Sequence, residues 1–200
     1  YAARLHGGHG QPAVVVLLTP SDWIVRWGRL LVPGCSVLDV ACGGGRHLAW
    51  LAQRGHAVTG VDQSIESAQK TAPTAELVCA DIENGPWPLH HPNGPLRTFG
   101  GVIVTNYLWR PLWPILLNSL EPGGVLLYET FAEGNAQYGR PTRPDFLLQP
   151  GELLRVCTTL DVVAYEHGYL HNPARVVQRI AAKCPLPGGP QAVHWEHQAL

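Results

Sequence analysis

Three aspartates and a run of glycines are the residues of this sequence best suited to binding a polar small molecule. Asp39 shortly precedes the glycines of CGGG at 42–45, and Asp62 and Asp81 follow further along the chain. Glycines permit positive φ and, lacking a Cβ, let a ligand approach the backbone. Carboxylates accept hydrogen bonds from hydroxyl and amino groups. The pattern therefore indicates a ligand that carries such donors.

The elements that must position these residues alternate between strand-like and helix-like patterns. Strands are predicted at 36–41, 57–61, 76–80, 101–105, 125–130, 162–166 and 175–181. Helices are predicted at 45–54, 64–71, 112–120 and 150–157, after an earlier helix within SDWIVRWGRLL at 21–31. This alternation predicts βαβ units with right-handed crossovers and a mostly parallel sheet. Each of the three aspartates then stands at the carboxyl end of a strand.

The last two predicted strands differ from the others in how they are connected. The segment HGYLHNP at 167–173 is too short for a crossover, so this pair must be antiparallel. We therefore expect an α/β fold with a doubly wound, mostly parallel sheet that contains one reversed strand. In such sheets, ligands bind outside the carboxyl ends of the strands, near the point where strand order reverses. The glycine turn at 42–45 is predicted to lie there, with a helix amino terminus beside it.

Three ligand classes compete for this turn. The phosphate-binding motif GxxxxGK[ST] is absent from the sequence. A dinucleotide motif GxGxxG counted from Gly43 would need a third glycine where Leu48 stands, and Asp39 would repel a pyrophosphate. A ligand with both an amino group and a carboxylate fits Asp39 and the glycines together. The methionine part of S-adenosylmethionine is such a ligand, and Asp62 and Asp81 are then suited to its ribose and adenine.

At this point the chain resembles the class I S-adenosylmethionine-dependent methyltransferases. The stretches that carry the resemblance are VLDVACGGGRHLAWLAQRGHAVTGVDQS, CADIENGPWPL, GGVIVTNYLW and LEPGGVLLYETF. The likeness runs from about residue 21 to about residue 183 and is strongest to the small, single-domain subgroup near the tellurite-resistance methyltransferases, which share a CGxGR turn. Ala41 departs from the glycine more common in the family. The resemblance implies a Rossmann-like seven-stranded sheet of order 3-2-1-4-5-7-6 with the seventh strand reversed.

The resemblance also implies which residues contact S-adenosylmethionine. Asp39 and the glycine turn are expected to hold the methionine end, Asp62 the ribose, and Asp81 and Ile82 the adenine, with Trp87 flanking it. The full set of expected cofactor contacts is Asp39, Ala41, Gly43, Gly44, Gly45, Arg46, Asp62, Gln63, Asp81, Ile82 and Asn106.

Candidate catalytic and acceptor-binding residues lie in the second half of the chain. Asn106 and Tyr107 follow the fourth predicted strand and are expected to face the methyl group. The long segment after the fifth strand is either an acceptor-binding loop or a solvated surface loop. Its candidate acceptor contacts are Glu129, Asn135, Tyr138, Arg140 and Arg143. The turn between the last two strands supplies a candidate base in His167 or His171, of which we favour His171.

Composition narrows the function classes. The net charge of −1 gives no basic surplus for nucleic-acid binding. The longest apolar run, at 13–18, is far shorter than a membrane span. Five cysteines without CxxC spacing favour reduced thiols and a cytoplasmic protein. The histidine pairs at 6 and 9, 90 and 91, and 194 and 197 lack a third ligand, so no metal is expected.

These observations predict one methyltransferase domain at 1–185, with an amino-terminal helix or lid at 20–31 and a mobile tail at 186–200. Because no separate substrate domain is visible, we expect in-line methyl transfer to a small-molecule acceptor. The alternatives are a non-catalytic cofactor-binding module, an RNA methyltransferase and an NAD-dependent oxidoreductase. Exposed tryptophan or leucine side chains of WIVRWGRLL would form either a homodimer face or a lid.

Overall fold

The computed structural model describes residues 19–92 and 94–188, which form a seven-stranded sheet between two layers of helices. The strands are β1 Ser36–Val40, β2 Ala57–Asp62, β3 Glu76–Cys79, β4 Phe99–Thr105, β5 Leu120–Phe131, β6 Asp161–His171 and β7 Ala174–Lys183. Their order is β3-β2-β1-β4-β5-β7-β6. β7 runs antiparallel to both β5 and β6, and the remaining pairs are parallel. The predicted fold class and strand order are confirmed.

Short helices cover both faces of the sheet. They are α1 Asp22–Trp27, α2 Arg46–Ala52, α3 Glu66–Thr71, α4 Trp113–Asn118 and α5 Glu152–Val156. One hydrophobic core contains Trp23, Leu48 and Ala68, and the other contains Leu116 and Leu153. The central strands β1 and β4 contribute side chains to both cores, which explains their nearly continuous apolar sequences. None of the helices in the described ranges has the length and apolar character needed to cross a bilayer.

The amino-terminal helix α1 is part of the core. The Ser21 side chain caps it by accepting a hydrogen bond from the Trp23 backbone N–H at 3.2 Å. The Trp23 indole donates to the Ile180 carbonyl at 3.2 Å, and Trp23 and Trp27 are 1% and 4% exposed. These two tryptophans therefore do not provide the homodimer face that the sequence left open. They attach α1 to the sheet beside β7.

The connection between β6 and β7 is shorter than the sequence suggested. β6 continues to His171 and β7 begins at Ala174, so only Asn172 and Pro173 lie between them. The antiparallel pairing is confirmed, but the prediction that His167 and His171 lie in the turn is wrong. Both are strand residues, because the hairpin ladder extends to its last possible pair, His171 with Ala174.

Strand β5 begins earlier than predicted. Leu120 pairs with Phe99, and the ladder resumes only where Val125 pairs with Gly101. The intervening residues form an irregular step in which Gly123 has a φ of +78°. Sequence patterning treated Leu120 as the end of a helix, because the proline and glycines that follow it resemble a loop.

Some predicted features fall outside the described residues. These are the histidine pairs at 6 and 9 and at 194 and 197, and the predicted tail from residue 189 onward.

Candidate functional site

An open groove of about 750 Å³ runs along the carboxyl ends of β1, β2 and β4. Its walls include Ala41, Gly43, Gly44, Arg46, His47, Asp62, Asn106 and Tyr107. The sheet order changes direction between β1 and β4, so the groove lies where a doubly wound sheet is expected to bind its ligand. The turn after β1 and the residues after β4 therefore reach this one cleft from opposite sides.

The glycines of the turn after β1 have two different functions. A Cβ placed on Gly43 or Gly44 would meet no atom within 4 Å, so both leave open space along the groove. A Cβ on Gly45 would lie 3.0 Å from the Cα of Ala68 in α3. Gly45 thus allows two helices to approach each other, which the sequence did not indicate. Ala41 adopts a φ of +53° at the start of the same turn.

Asp39 carries a buried carboxylate near the end of β1, behind the groove-lining residues Ala41 and His47, and is not itself part of the groove wall. It is 1% exposed, and neither of its oxygens has a hydrogen-bond partner among the described residues. The His47 Nδ1 lies 3.8 Å from the Asp39 Oδ2. A buried charge without partners is costly, and functional sites are where such a cost is retained. A ligand with a positively charged amino group would supply the missing partner.

Cys42 lies on the same turn and stays a thiol. Burial, with added contributions from Asp39 and Asp62, raises the pKa of Cys42 to about 12. A thiol with this pKa is protonated at neutral pH, so Cys42 is not a nucleophile.

His47 links α1 to the site. The Ser21 backbone N–H donates to the His47 Nε2 at 3.1 Å, and His47 is 1% exposed. Because Nε2 is the acceptor, the proton of the neutral ring lies on Nδ1, on the side of Asp39. His47 lies within the helix predicted at 45–54, and the sequence gave no indication of this contact, which joins positions 26 residues apart.

Replacing His47 with phenylalanine should destabilise the protein. The substitution leaves the buried Ser21 N–H without an acceptor, which typically costs about 1–3 kcal/mol. The free energy of unfolding, measured by urea denaturation, is therefore expected to fall by about 2 kcal/mol. His167→Phe is the matched control, since His167 is exposed on β6. Equal stability of the two variants would contradict a structural contact between His47 and Ser21.

Asp62, at the end of β2, accepts a hydrogen bond from the glycine turn. Its Oδ2 accepts from the Gly43 N–H at 2.8 Å, and its Oδ1 accepts from the Ser64 N–H at 3.0 Å. Asp62 lines both the main groove and an adjoining cavity of about 230 Å³. It is therefore fixed by the backbone while it presents carboxylate oxygens to any ligand in the groove.

The adjoining cavity is lined by Gln63, Ile82, Glu83 and Tyr107 as well as by Asp62. Ile82 is 6% exposed and offers an apolar surface, as expected for a residue that packs on a ring. Tyr107 has a raised pKa because it is buried and, to a smaller extent, because the Glu83 carboxylate is near. The Tyr107 phenol is therefore neutral at physiological pH.

The hydrogen bonds of Asp81 are mainly to residues of its own loop. Its carboxylate accepts from the backbone N–H groups of Glu83 and Asn84, each at 3.0 Å, and from the Asn84 side chain at 3.0 Å. The Asn84 hydrogen bonds lower the pKa of Asp81. Asp81 thereby fixes the loop that carries Ile82. Trp87, expected beside an adenine, belongs to the same hydrophobic core as Ile82.

Asn106 follows β4 with a φ of +55°, and its N–H donates to the Glu129 carbonyl at 2.9 Å. Asn106 and Tyr107 border both the main groove and a third cavity of about 180 Å³, which we call the side pocket. The side pocket is lined by Glu83, Asn106, Tyr107, Leu108, Thr130, Phe131, Pro141 and Phe146. A group bound there would lie across Asn106 and Tyr107 from a ligand in the groove.

Glu129, a predicted acceptor contact, is instead buried in an ion-pair network. It is 1% exposed and accepts from the Ser21 hydroxyl at 3.1 Å. Arg175 and Arg179 from β7 donate to its two oxygens at 3.4 and 3.3 Å. Arg179 also pairs with Glu166 of β6. The network joins α1 to three strands, so Glu129 has a structural role.

Other predicted acceptor contacts lie away from the cavities. Asn135 is 1% exposed and holds its own loop, because its Oδ1 accepts from the Val176 N–H at 3.1 Å. Tyr138 contacts Tyr169, which contacts His171, with ring centres 4.7 and 4.8 Å apart. This cluster is on the surface. Arg140, Arg143, Tyr138 and His171 line none of the three cavities.

Within residues 19–92 and 94–188, no three histidine, cysteine or acidic side chains converge as a metal site would require. His90 and His91 therefore remain without a third ligand in the described part of the chain.

Comparisons with known proteins agree with this geometry. Residues 37–124 match a family model described as a methyltransferase domain. No curated protein matches the sequence. Three solved structures share the fold at low sequence identity. TehB from Haemophilus influenzae superposes with a TM-score of 0.64 and 19% identity over 80% of this chain and 61% of its own. This chain therefore spans about three fifths of that protein.

The second structure is a TehB-like S-adenosylmethionine-dependent methyltransferase from Corynebacterium glutamicum, with a TM-score of 0.61, 17% identity and coverage of 86% of this chain and 92% of that one. The third is coclaurine N-methyltransferase bound to N-methylheliamine and S-adenosylhomocysteine, with a TM-score of 0.61, 14% identity and coverage of 86% and 72%. These likenesses show the fold, and the family match covers residues 37–124, somewhat less than half of the chain. The chain thus has the fold of the TehB-like S-adenosylmethionine-dependent methyltransferases, and its residues 37–124 are similar to a methyltransferase domain.

Proposed function

We propose that this protein transfers a methyl group from S-adenosylmethionine to a small-molecule acceptor by in-line displacement. The proposal rests on two features that occur close together. The buried Asp39 carboxylate has no hydrogen-bond partner among the described residues, and the backbone of Gly43 and Gly44 is open to the groove. Together they suit a ligand end that carries an amino group and needs close approach to the chain. A phosphate or pyrophosphate would be repelled by the same carboxylate.

The residues present fit the whole cofactor. Asp39, Gly43 and Gly44 would hold its methionine end, and Asp62 would accept hydrogen bonds from the ribose hydroxyls. Ile82 in the adjoining cavity would pack on the adenine. When bound, S-adenosylmethionine supplies a methyl group on a positively charged sulfur. The protein contributes alignment: Asn106 and Tyr107 separate the groove from the side pocket, where an acceptor can be held in a fixed orientation.

The cellular setting is also a proposal. All five cysteines are free, which suits a reducing compartment, and we propose the cytoplasm. A net charge of −1 favours a small acceptor over a nucleic acid.

Thermal unfolding in the presence of candidate ligands tests the proposal. A ligand that binds only the folded state raises the melting temperature with its concentration. S-adenosylmethionine and S-adenosylhomocysteine should both raise it, whereas NAD at equal concentration should not. Stabilisation by NAD alone would support the oxidoreductase alternative. A protein that binds S-adenosylmethionine but forms no S-adenosylhomocysteine with any small acceptor would be a binding module.

Replacing Asp62 with alanine should weaken S-adenosylmethionine binding at least tenfold, or about 1.4 kcal/mol. The substitution removes the predicted ribose acceptors and also releases the Gly43 N–H. Titration calorimetry measures the dissociation constant directly. Asp161→Ala is the control, since Asp161 is exposed at the start of β6. An unchanged affinity in Asp62→Ala would remove Asp62 from the ribose site.

A further inference from the structure

The side pocket has the composition of a site for a small, largely apolar molecule. Leu108, Phe131, Pro141 and Phe146 provide most of its wall. Tyr107 adds a third aromatic ring, and its raised pKa keeps it uncharged. Its volume of about 180 Å³ limits the occupant to roughly one substituted ring. The pocket adjoins the groove at Asn106 and Tyr107, as an acceptor site must.

Glu83 is the one ionisable acid or base in this wall besides the Tyr107 phenol. The Glu83 N–H donates to the Asp81 Oδ1 at 3.0 Å, which fixes the backbone from which its side chain projects. Among the described residues, no arginine, lysine or histidine nitrogen lies within 4.0 Å of the Glu83 carboxylate. The Tyr107 phenol lies beside the Glu83 carboxylate, which therefore has no cationic partner among the described residues.

Arg140 precedes the lining residue Pro141 but is exposed and does not line the side pocket, and two other arginines close to the lining residues have partners. Arg143, which lies over the Phe146 ring at 5.2 Å, pairs with Asp145 at 2.7 Å. Arg110 pairs with Glu152 at 2.7 Å and donates to the Asp145 carbonyl. Neither side chain lines the side pocket. An anionic acceptor would thus meet the Glu83 carboxylate without a compensating cation.

We propose that the side pocket binds a small primary or secondary amine, with its nitrogen beside Glu83 and its apolar body against Phe131 and Phe146. A carboxylate attracts an ammonium group, and aromatic faces attract cations as well. This inference rests on the proposed function and names its substrate class.

The amine assignment gives a balanced reaction. Its neutral form attacks through the nitrogen lone pair, so a carbon–nitrogen bond forms as the methyl carbon–sulfur bond breaks. The bonding electron pair goes to sulfur, which becomes neutral, and the methylated nitrogen takes the positive charge. The one proton released overall is the ammonium proton that the bound amine gives up to solvent before the attack, so the methylated nitrogen keeps its positive charge. Glu83 holds the cationic forms before and after transfer and is not required to take the proton permanently.

Binding of three matched ligands tests the assignment without relying on turnover. Benzylamine, benzyl alcohol and benzoate share one ring and differ in charge. Each is titrated calorimetrically into protein saturated with S-adenosylhomocysteine. We expect benzylamine to bind at least tenfold more tightly than benzyl alcohol and benzoate to bind most weakly. Glu83→Gln should weaken benzylamine about tenfold and leave benzyl alcohol unchanged.

Glu121→Gln is the matched control, because Glu121 lies at the opposite end of the sheet, near the start of β5. It should retain the preference for the amine. Equal or absent binding of benzylamine, a preference for benzoate, or an unchanged preference in Glu83→Gln would each overturn the amine assignment and leave the proposed function standing. Failure of S-adenosylhomocysteine itself to bind would instead overturn the proposed function.

Discussion

Replacing Asp39 with asparagine should make the ligand-free protein more stable and its cofactor binding much weaker. The carboxylate is 1% exposed and has no hydrogen-bond partner in the described residues, so the folded state carries the cost of an unpaired buried charge. A neutral amide of nearly the same shape removes much of that cost. We expect the free energy of unfolding to rise by about 1 kcal/mol. We also expect the affinity for S-adenosylmethionine to fall about 100-fold, or roughly 2.7 kcal/mol.

Urea denaturation and titration calorimetry on the same preparations measure both quantities. The expected rise in stability together with a fall in affinity is informative, because a mutation that merely damages the fold lowers both. Asp161→Asn, on an exposed residue, should change neither. If Asp39→Asn were destabilised while binding stayed intact, Asp39 would be a structural residue of β1 and the amino-group assignment would be lost.

Valine in place of Gly44 should abolish cofactor binding while leaving the fold intact. The Gly44 backbone is not in the left-handed region, and an added Cβ would meet no protein atom within 4 Å. The side chain would occupy the space in which the ligand approaches the turn. We expect at least a 100-fold loss of affinity, with a melting temperature within about 2 °C of the parent protein.

The adjacent substitution Gly45→Val should show the reverse. Gly45 has a φ of +76°, and its Cβ would lie 3.0 Å from the Ala68 Cα, so the valine is strained and overlaps α3. A loss of about 3 kcal/mol in unfolding free energy is expected. Thermal unfolding and calorimetry on the pair separate a ligand-facing glycine from a packing glycine. Two variants with the same behaviour would refute that division.

The position of the groove could be predicted from the sequence because its signals are local. Asp39, Asp62 and the glycine turn occupy fixed positions relative to two strand ends, and apolar patterning locates those ends to within a residue or two. The role of Gly45 could not be predicted, since its requirement comes from Ala68, a residue of another helix. Sequence spacing shows that a glycine is present and does not show which atom it accommodates.

The surroundings of the candidate acceptor contacts were predicted less well, because they depend on contacts between residues far apart in the sequence. The network of Glu129 with Arg175 and Arg179 joins positions 46 and 50 residues apart. Its formation depends on the register in which β5 pairs with β7, which places Glu129 opposite Arg179. His171 was placed in a turn because polar residues at the end of a strand resemble a loop. Glu83 was overlooked because the aspartate two residues earlier carried the stronger pattern.

The groove and the side pocket are formed in part by different segments of the chain, so the two cavities can change independently. The groove is formed by the segments that follow β1, β2 and β4, whereas Pro141 and Phe146 of the side pocket belong to the single connection between β5 and α5. Exchange of that connection in evolution, or by grafting in the laboratory, alters one wall of the pocket and leaves the turn after β1 untouched. Under the proposed function, new acceptors can thus be recruited while the groove stays constant.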